Sequence, residues 1–146
     1  MNDLDYIKLA YKEALKAYKN NEVPVGAIIV SSEGKILARA YNKKEKNKDI
    51  SAHAEILALK KAMKKVGSTN LSNSSIYVTL EPCLMCSSAI IDSKIKKIIY
   101  GVKRTNSELT LSYLSDYLFE NGYEAKYGYY ENKINELLQT FFKKMR

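Results

Sequence analysis

Histidine and cysteine are nearly missing from this chain of 146 residues, which has one of the first, His53, and two of the second, Cys83 and Cys86. Two cysteines spaced C-x-x-C argue against a disulfide framework and for a reducing cytosol. They also restrict metal chemistry. Structural zinc is closed by four nitrogen or sulfur ligands, whereas catalytic zinc keeps three protein ligands and leaves the fourth position to water. One subunit cannot supply a fourth His or Cys, so a closed site would need a carboxylate or a neighbouring chain. Long apolar runs are absent as well: nothing approaches the ~18 residues of a membrane span. The first twenty residues carry acids and lysines at regular intervals, unlike an apolar leader. These absences set the expectation of a cytoplasmic protein with no membrane segment.

Positive charge is what the chain has in excess, with a net charge of +8 and a pI near 9.3. Lysine and arginine beside phosphates gain by counterion release, so a polyanionic partner is one reading. The other is compositional bias, because only three of the 24 basic residues are arginine and Asn, Ile and Tyr are also abundant. The length is that of one domain, residues 1–146, long enough to bury a core.

Chain geometry tests whether His53 and the two cysteines can meet. Thirty positions separate His53 from Cys83. A helix of ~14 residues runs ~21 Å one way and a strand of ~6 residues runs ~20 Å back, so both ends arrive at the same level. Pro82 suits the first position of a second helix, where its missing N–H costs nothing. Cys83 and Cys86 then fall on one face of that helix, and its positive dipole end favours thiolates.

Along the chain, Leu4, Ile7, Tyr11, Ala14 and Tyr18 recur at helical spacing with lysines between them, and Asn20, Asn21 and Pro24 end the pattern. Residues 25–30 form a continuous apolar run that reads as a buried strand, with Gly26 marking a close backbone approach. Ser32-Glu33-Gly34 is a turn, and residues 35–41 return as the second strand of a hairpin. Residues 43–49 include four lysines and no apolar residue. They read as an exposed loop, either simply solvated or touching phosphate. Ser51 is the expected N-cap of a helix over 52–66 with Ile56, Leu59 and Met63 on its core face and Gly67 as its stop. Residues 76–80 are a third strand delivering Glu81 and the cysteine motif. The cysteine helix runs to about Ser93, and its apolar Leu84 and Ile91 fit core or interface equally. Residues 98–102 are a fourth strand, reached by a right-handed parallel crossover. Residues 109–119 are expected to be helical, 123–127 a short fifth strand, and 131–144 a closing amphipathic helix with Ile134, Leu137, Leu138, Phe141 and Phe142. Alternating helices and strands predict a three-layer α/β sandwich with its site at strand carboxyl ends.

Zinc lowers the pKa of a bound water to ~7, and hydrolysis then needs a group to carry protons. Glu55 is the candidate. Residues two apart on a regular helix point ~200° apart, so His53 and Glu55 share a site only if His53 sits at the frayed first turn, which Ser51 as cap would allow. A redox dithiol and a non-catalytic zinc or RNA-binding module both remain readings of C-x-x-C, and both leave Glu55 unexplained. The joint pattern matches the zinc deaminase signature H-x-E…P-C-x-x-C.

Nearly end to end, the chain resembles the bacterial tRNA-specific adenosine deaminases. The residues that carry the resemblance are Val23-Pro24-Val25-Gly26-Ala27, Tyr41-Asn42, Ala52-His53-Ala54-Glu55-Ile56, the run from Tyr77 to Cys86, and the basic ending from Phe141 to Arg146. The resemblance implies a cytidine deaminase-like α/β/α sandwich with a mixed five-stranded sheet. It implies one Zn2+ per subunit held by His53, Cys83 and Cys86, with Glu55 as proton shuttle and Asn42 and the Ala54 backbone touching a flipped adenine. It also implies a homodimer that acts on the tRNA anticodon stem-loop, converting the wobble adenosine to inosine. A deaminase of free nucleobases or nucleosides, of guanine or cytosine type, is the alternative. One region departs from the pattern: the family continues G-A-x-D into a Gly-rich loop, with the acid associated with the substrate ribose. Here Arg104 stands in its place, and Glu108 is a substitute only if the loop is shifted.

Overall fold

The computed structural model describes residues 1–105 and 109–146. Helix α1 (Asp3–Lys19) opens with a capping box, in which Asn2 Oδ1 accepts from the Asp5 amide and Asp5 accepts from the Asn2 amide, each at 2.9 Å. Its buried face is Tyr6, Ile7, Ala10, Ala14 and Ala17, while Leu4 is exposed and Tyr11 only half-buried. The stripe differs from the tyrosine-rich one expected because α1 lies almost on the backbone of the next strand. A Cβ on Gly26 would stand 2.6 Å from the Ala14 amide nitrogen. Only small side chains allow that approach.

Strand β1 (Gly26–Ser31) turns through Gly34, at φ +83°, into antiparallel β2 (Ile36–Tyr41). The lysine-rich stretch after β2 is not wholly loop: it contains one short helix, α2 (Lys44–Asn47). Buried Glu22 accepts hydrogen bonds from the amides of Glu45 and Lys46 at 3.0 and 2.9 Å, which satisfies donors at the helix start. Helix α3 (Ala54–Val66) ends as expected at Gly67 (φ +72°) but buries Ala58, Leu59 and Ala62, leaving Ile56 and Met63 half-buried. Strand β3 (Ser74–Leu80) leads to α4 (Leu84–Asp92) and then to β4 (Lys97–Val102). The expected helix over 109–119 is broken. Cys83 and Thr110 form an isolated antiparallel bridge, Leu111–Leu114 is a 3-10 turn, and only Ser115–Glu120 is α-helix, α5. Strand β5 is three residues, Glu124–Lys126, and α6 spans Glu131–Lys144.

The sheet order is β2-β1-β3-β4-β5, antiparallel between β2, β1 and β3 and parallel from β3 through β5. This is the expected mixed five-stranded sheet. Helix α1 covers β1 and β3, with α6 beside it through Tyr11–Tyr130 (5.2 Å) and Tyr18–Phe141 (6.4 Å) ring contacts. Helix α3 covers β2 and β1, next to α4. With both faces covered, β1 reads as an unbroken buried run. The core is rich in isoleucine, including Ile28, Ile29, Ile76, Ile98 and Ile99. Leu84 and Ile91 are both half-buried, while Cys86 and Ile90 take the inner face of α4. Among the described residues, no helix is long and apolar enough to cross a membrane.

Candidate active site

Two helix starts converge at the carboxyl end of β3. His53 is itself the N-cap residue of α3, with extended backbone (φ −77°, ψ 151°), and Glu55 is the second helical residue. That resolves the ~200° problem, because a cap residue does not follow the helical advance. The device is not Ser51, whose amide and hydroxyl both bind Asp49 Oδ1, at 2.8 and 2.7 Å. In its place Asn42, at the end of β2, accepts from the Ala54 amide at 2.8 Å and donates to the Val23 carbonyl at 3.0 Å.

Cys83 is likewise an N-cap, of α4, so Pro82 lies before the cap and not at the first helical position. The pairing with Thr110 holds Cys83 extended, and the Leu111 amide takes up the Pro82 carbonyl at 3.0 Å. Cys86, third in α4, is buried.

His53 Nδ1 lies 3.7 Å from Cys83 Sγ and 3.4 Å from Cys86 Sγ, and the three ligand atoms lie within 4.8 Å of one another. For zinc bonds of ~2.0 Å to nitrogen and ~2.3 Å to sulfur, a tetrahedral N···S edge is about 3.5 Å. The residues therefore fit zinc in spacing and in donor type. The two thiols hold their protons unevenly. The Cys86 thiol bonds to Cys83, and with His53 beside it the Cys83 pKa falls to about 3. Cys86 is pushed up by the same bond and by burial, and His53 is raised, chiefly by Cys83. Burial raises the pKa of Glu55, which is 1% exposed.

The site opens into a cavity of about 380 Å³ whose lining includes Asn42, His53, Glu55, Arg104, Phe141, Phe142 and Met145. The structure thus gathers His53, Cys83, Cys86, Glu55 and Asn42 as the sequence suggests. Ala54 is fully buried behind Asn42. Arg104 borders the cavity, while Glu108 lies outside the described residues.

Two contributors escaped the sequence reading. Glu22 fixes the Glu45 side of the cavity wall, and nothing in the sequence signals that. Glu81, 1% exposed, ties Arg104 to Ser112: one carboxylate oxygen accepts the Arg104 amide at 3.1 Å, and the other takes the amide and hydroxyl of Ser112 at 2.8 and 2.7 Å. Its place between a strand and the cysteine motif was the available signal.

A mixed sheet between helix layers, with a His/Cys/Cys set on two helix starts and a buried glutamate beside it, defines a deaminase of the zinc-hydrolase class. The MafB19-like deaminase family matches residues 1–146. The chain is 42% identical over 144 residues to the tRNA-specific adenosine deaminase of Aquifex aeolicus, covering 97% of this chain and 94% of that one. It is 38% identical over 144 residues to the enzyme of that name from Bacillus subtilis, covering 97% and 89%. A solved structure from work on A-to-I editing by tRNA:A34 deaminases superposes with a TM-score of 0.83 at 32% identity, covering 92% of this chain and 99% of the other. The chain belongs to the MafB19-like deaminases and, among them, to the tRNA-specific adenosine deaminase family.

Proposed function

We propose that the protein, loaded with one zinc ion per subunit, deaminates adenosine to inosine at the wobble position of tRNA anticodons. The observation that carries this reading is the His53–Cys83–Cys86 cluster, whose His53 opens with Glu55 onto one cavity, in a chain similar to tRNA-specific adenosine deaminases over nearly its full length. Those relatives and the A34 deaminase structure favour tRNA over free nucleobases.

His53, Cys83 and Cys86 would hold the metal. Bound there, zinc supplies the Lewis acidity that makes water a nucleophile near neutral pH. Glu55 is not a ligand in this assignment. It takes one proton from the attacking water and delivers it to the purine ring nitrogen as the oxygen adds to the amine-bearing carbon, then carries the remaining hydroxyl proton to the amine as the C–N bond breaks and ammonia leaves. Burial raises its pKa, which favours the protonated form that donates. Asn42, fixed by Val23 and Ala54, orients the extruded adenine, with the Ala54 backbone behind it. Phe141, Phe142 and Met145 pack around the base and exclude bulk water.

A homodimer, a single domain spanning residues 1–146 and a cytoplasmic location belong to the same proposal. Exposed Met85 and half-buried Leu84 and Ile91 on α4 offer apolar surface for a second subunit. The test is to incubate the zinc-loaded protein with tRNAs bearing a wobble adenosine and, separately, with free adenosine, guanine and cytidine. Inosine in the tRNA alone is expected. Turnover of the free compounds with none in tRNA would remove the reading.

A further inference from the structure

A second cavity, of about 440 Å³, adjoins the catalytic one and shares Arg104 and Phe142 with it. Among its described lining residues are the cations Lys103 and Arg104 and the amides Asn135 and Gln139, with no carboxylate. The catalytic cavity sets Glu22, Glu45 and Glu55 against Lys44 and the shared Arg104. An anion is therefore favoured on one side of Arg104 and a neutral base on the other.

Arg104 is also unusually well fixed for a loop cation. Its amide donates to Glu81 Oε1 at 3.1 Å and its Nε donates to the Glu81 carbonyl at 2.8 Å. The guanidinium is thus pinned along its Nε edge by a residue that is itself buried. Among the described residues it takes part in no ion pair. A guanidinium held this way presents a planar fork that matches two oxygens of one phosphate, and it loses little freedom on binding.

We propose that Arg104 grips the phosphate joining the target adenosine to a neighbouring nucleotide. The adjoining cavity receives that neighbour, with its base against half-exposed Phe142. Arg104 is then a specificity-determining residue that selects a polynucleotide over a free nucleoside. The assignment rests on the reading of the protein as an RNA-acting deaminase.

The experiment measures binding of an anticodon stem-loop RNA by fluorescence anisotropy across a KCl series, with inosine formation followed in parallel. Loss of one phosphate contact makes the slope of log Kd against log salt shallower by about 0.7 to 0.9. Arg104→Gln is expected to show that change and a KM raised about tenfold with kcat nearly constant, while Arg104→Lys keeps the wild-type slope. A stem-loop with a neutral methylphosphonate at the phosphates flanking the target should bind the wild-type protein about tenfold more weakly and the glutamine variant no more weakly than the native RNA does. An unchanged slope in Arg104→Gln overturns the proposal. So does the absence of a methylphosphonate penalty in the wild-type protein, an arm that needs no variant to fold. Failure of the wild type to form inosine would instead strike the deaminase reading, while the binding slopes still judge Arg104.

Discussion

The Ala54 amide donates a 2.8 Å hydrogen bond to Asn42 Oδ1, so the first turn of α3 is capped by a side chain from the end of β2 and not by its own preceding residue. The bond satisfies a buried donor at a helix start while leaving His53, the true cap residue, free to turn its ring toward the cysteines. Asn42→Ala is expected to cost about 1–3 kcal/mol, because the Ala54 amide is left unsatisfied. Thermal or urea unfolding measures that cost. Activity should fall further than stability explains, since Asn42 also lines the cavity.

Glu55→Gln should retain zinc and fold while losing about 10²- to 10⁴-fold in kcat, the range set by removing one general acid–base group. Elemental analysis and single-turnover kinetics on the same preparation separate the two properties. Full activity in the variant would exclude Glu55 as the proton carrier.

Cys86→Ser is expected to lose metal and stability together. Zinc bound by the folded state contributes its binding free energy to folding, so chelator should lower the wild-type Tm and leave the variant's unchanged. A Tm unaffected by chelator in the wild type would contradict ligation.

Gly26→Ala places a Cβ against the α1 backbone at Ala10 and Ala14. Overpacking of this kind costs about 1–3 kcal/mol, and more here because the clash is with backbone. Denaturant midpoints measure it, and a neutral result would mean that α1 can slide.

Stability should also depend on acid through Asp3. Burial works to raise its pKa, but hydrogen bonds from the Tyr77 hydroxyl (2.7 Å) and Lys97 (3.0 Å) outweigh that effect and hold it below the ordinary 3.8. A group depressed on folding stabilises the protein above its unfolded pKa, and the contribution is lost as pH falls through the folded value. Asp3→Asn should therefore be less stable than wild type near neutrality, and the difference should shrink between about pH 4 and pH 2. Tm measured across that range tests it.

The parts legible from sequence were those whose cause is local. The closing helix was readable because its apolar residues keep helical spacing: Ile134, Leu137, Leu138 and Phe141 are buried, although Phe142, expected with them, is half-exposed. The candidate ligand set His53, Cys83 and Cys86 was readable because so few residues could form one, and the three lie together. The misread parts depend on distant partners. Glu22 stabilises α2 from more than twenty positions away, and Thr110 holds Cys83 outside its helix. Tyr11 and Tyr18 looked like core because spacing cannot reveal that Gly26 demands alanines. The site was visible as a list of residues, but its wall was not, since pairing Asn42 with Phe141 requires the whole sheet.

Phe141, Phe142 and Met145 line the cavity beside a candidate ligand set that ends at Cys86. During synthesis, a growing chain can therefore own its ligands long before it owns a pocket. Until α6 folds down beside α1, such a chain would lack the wall that shelters an extruded base. The order of synthesis thus places the candidate ligands ahead of the wall, and competence to act on a base waits for the last helix.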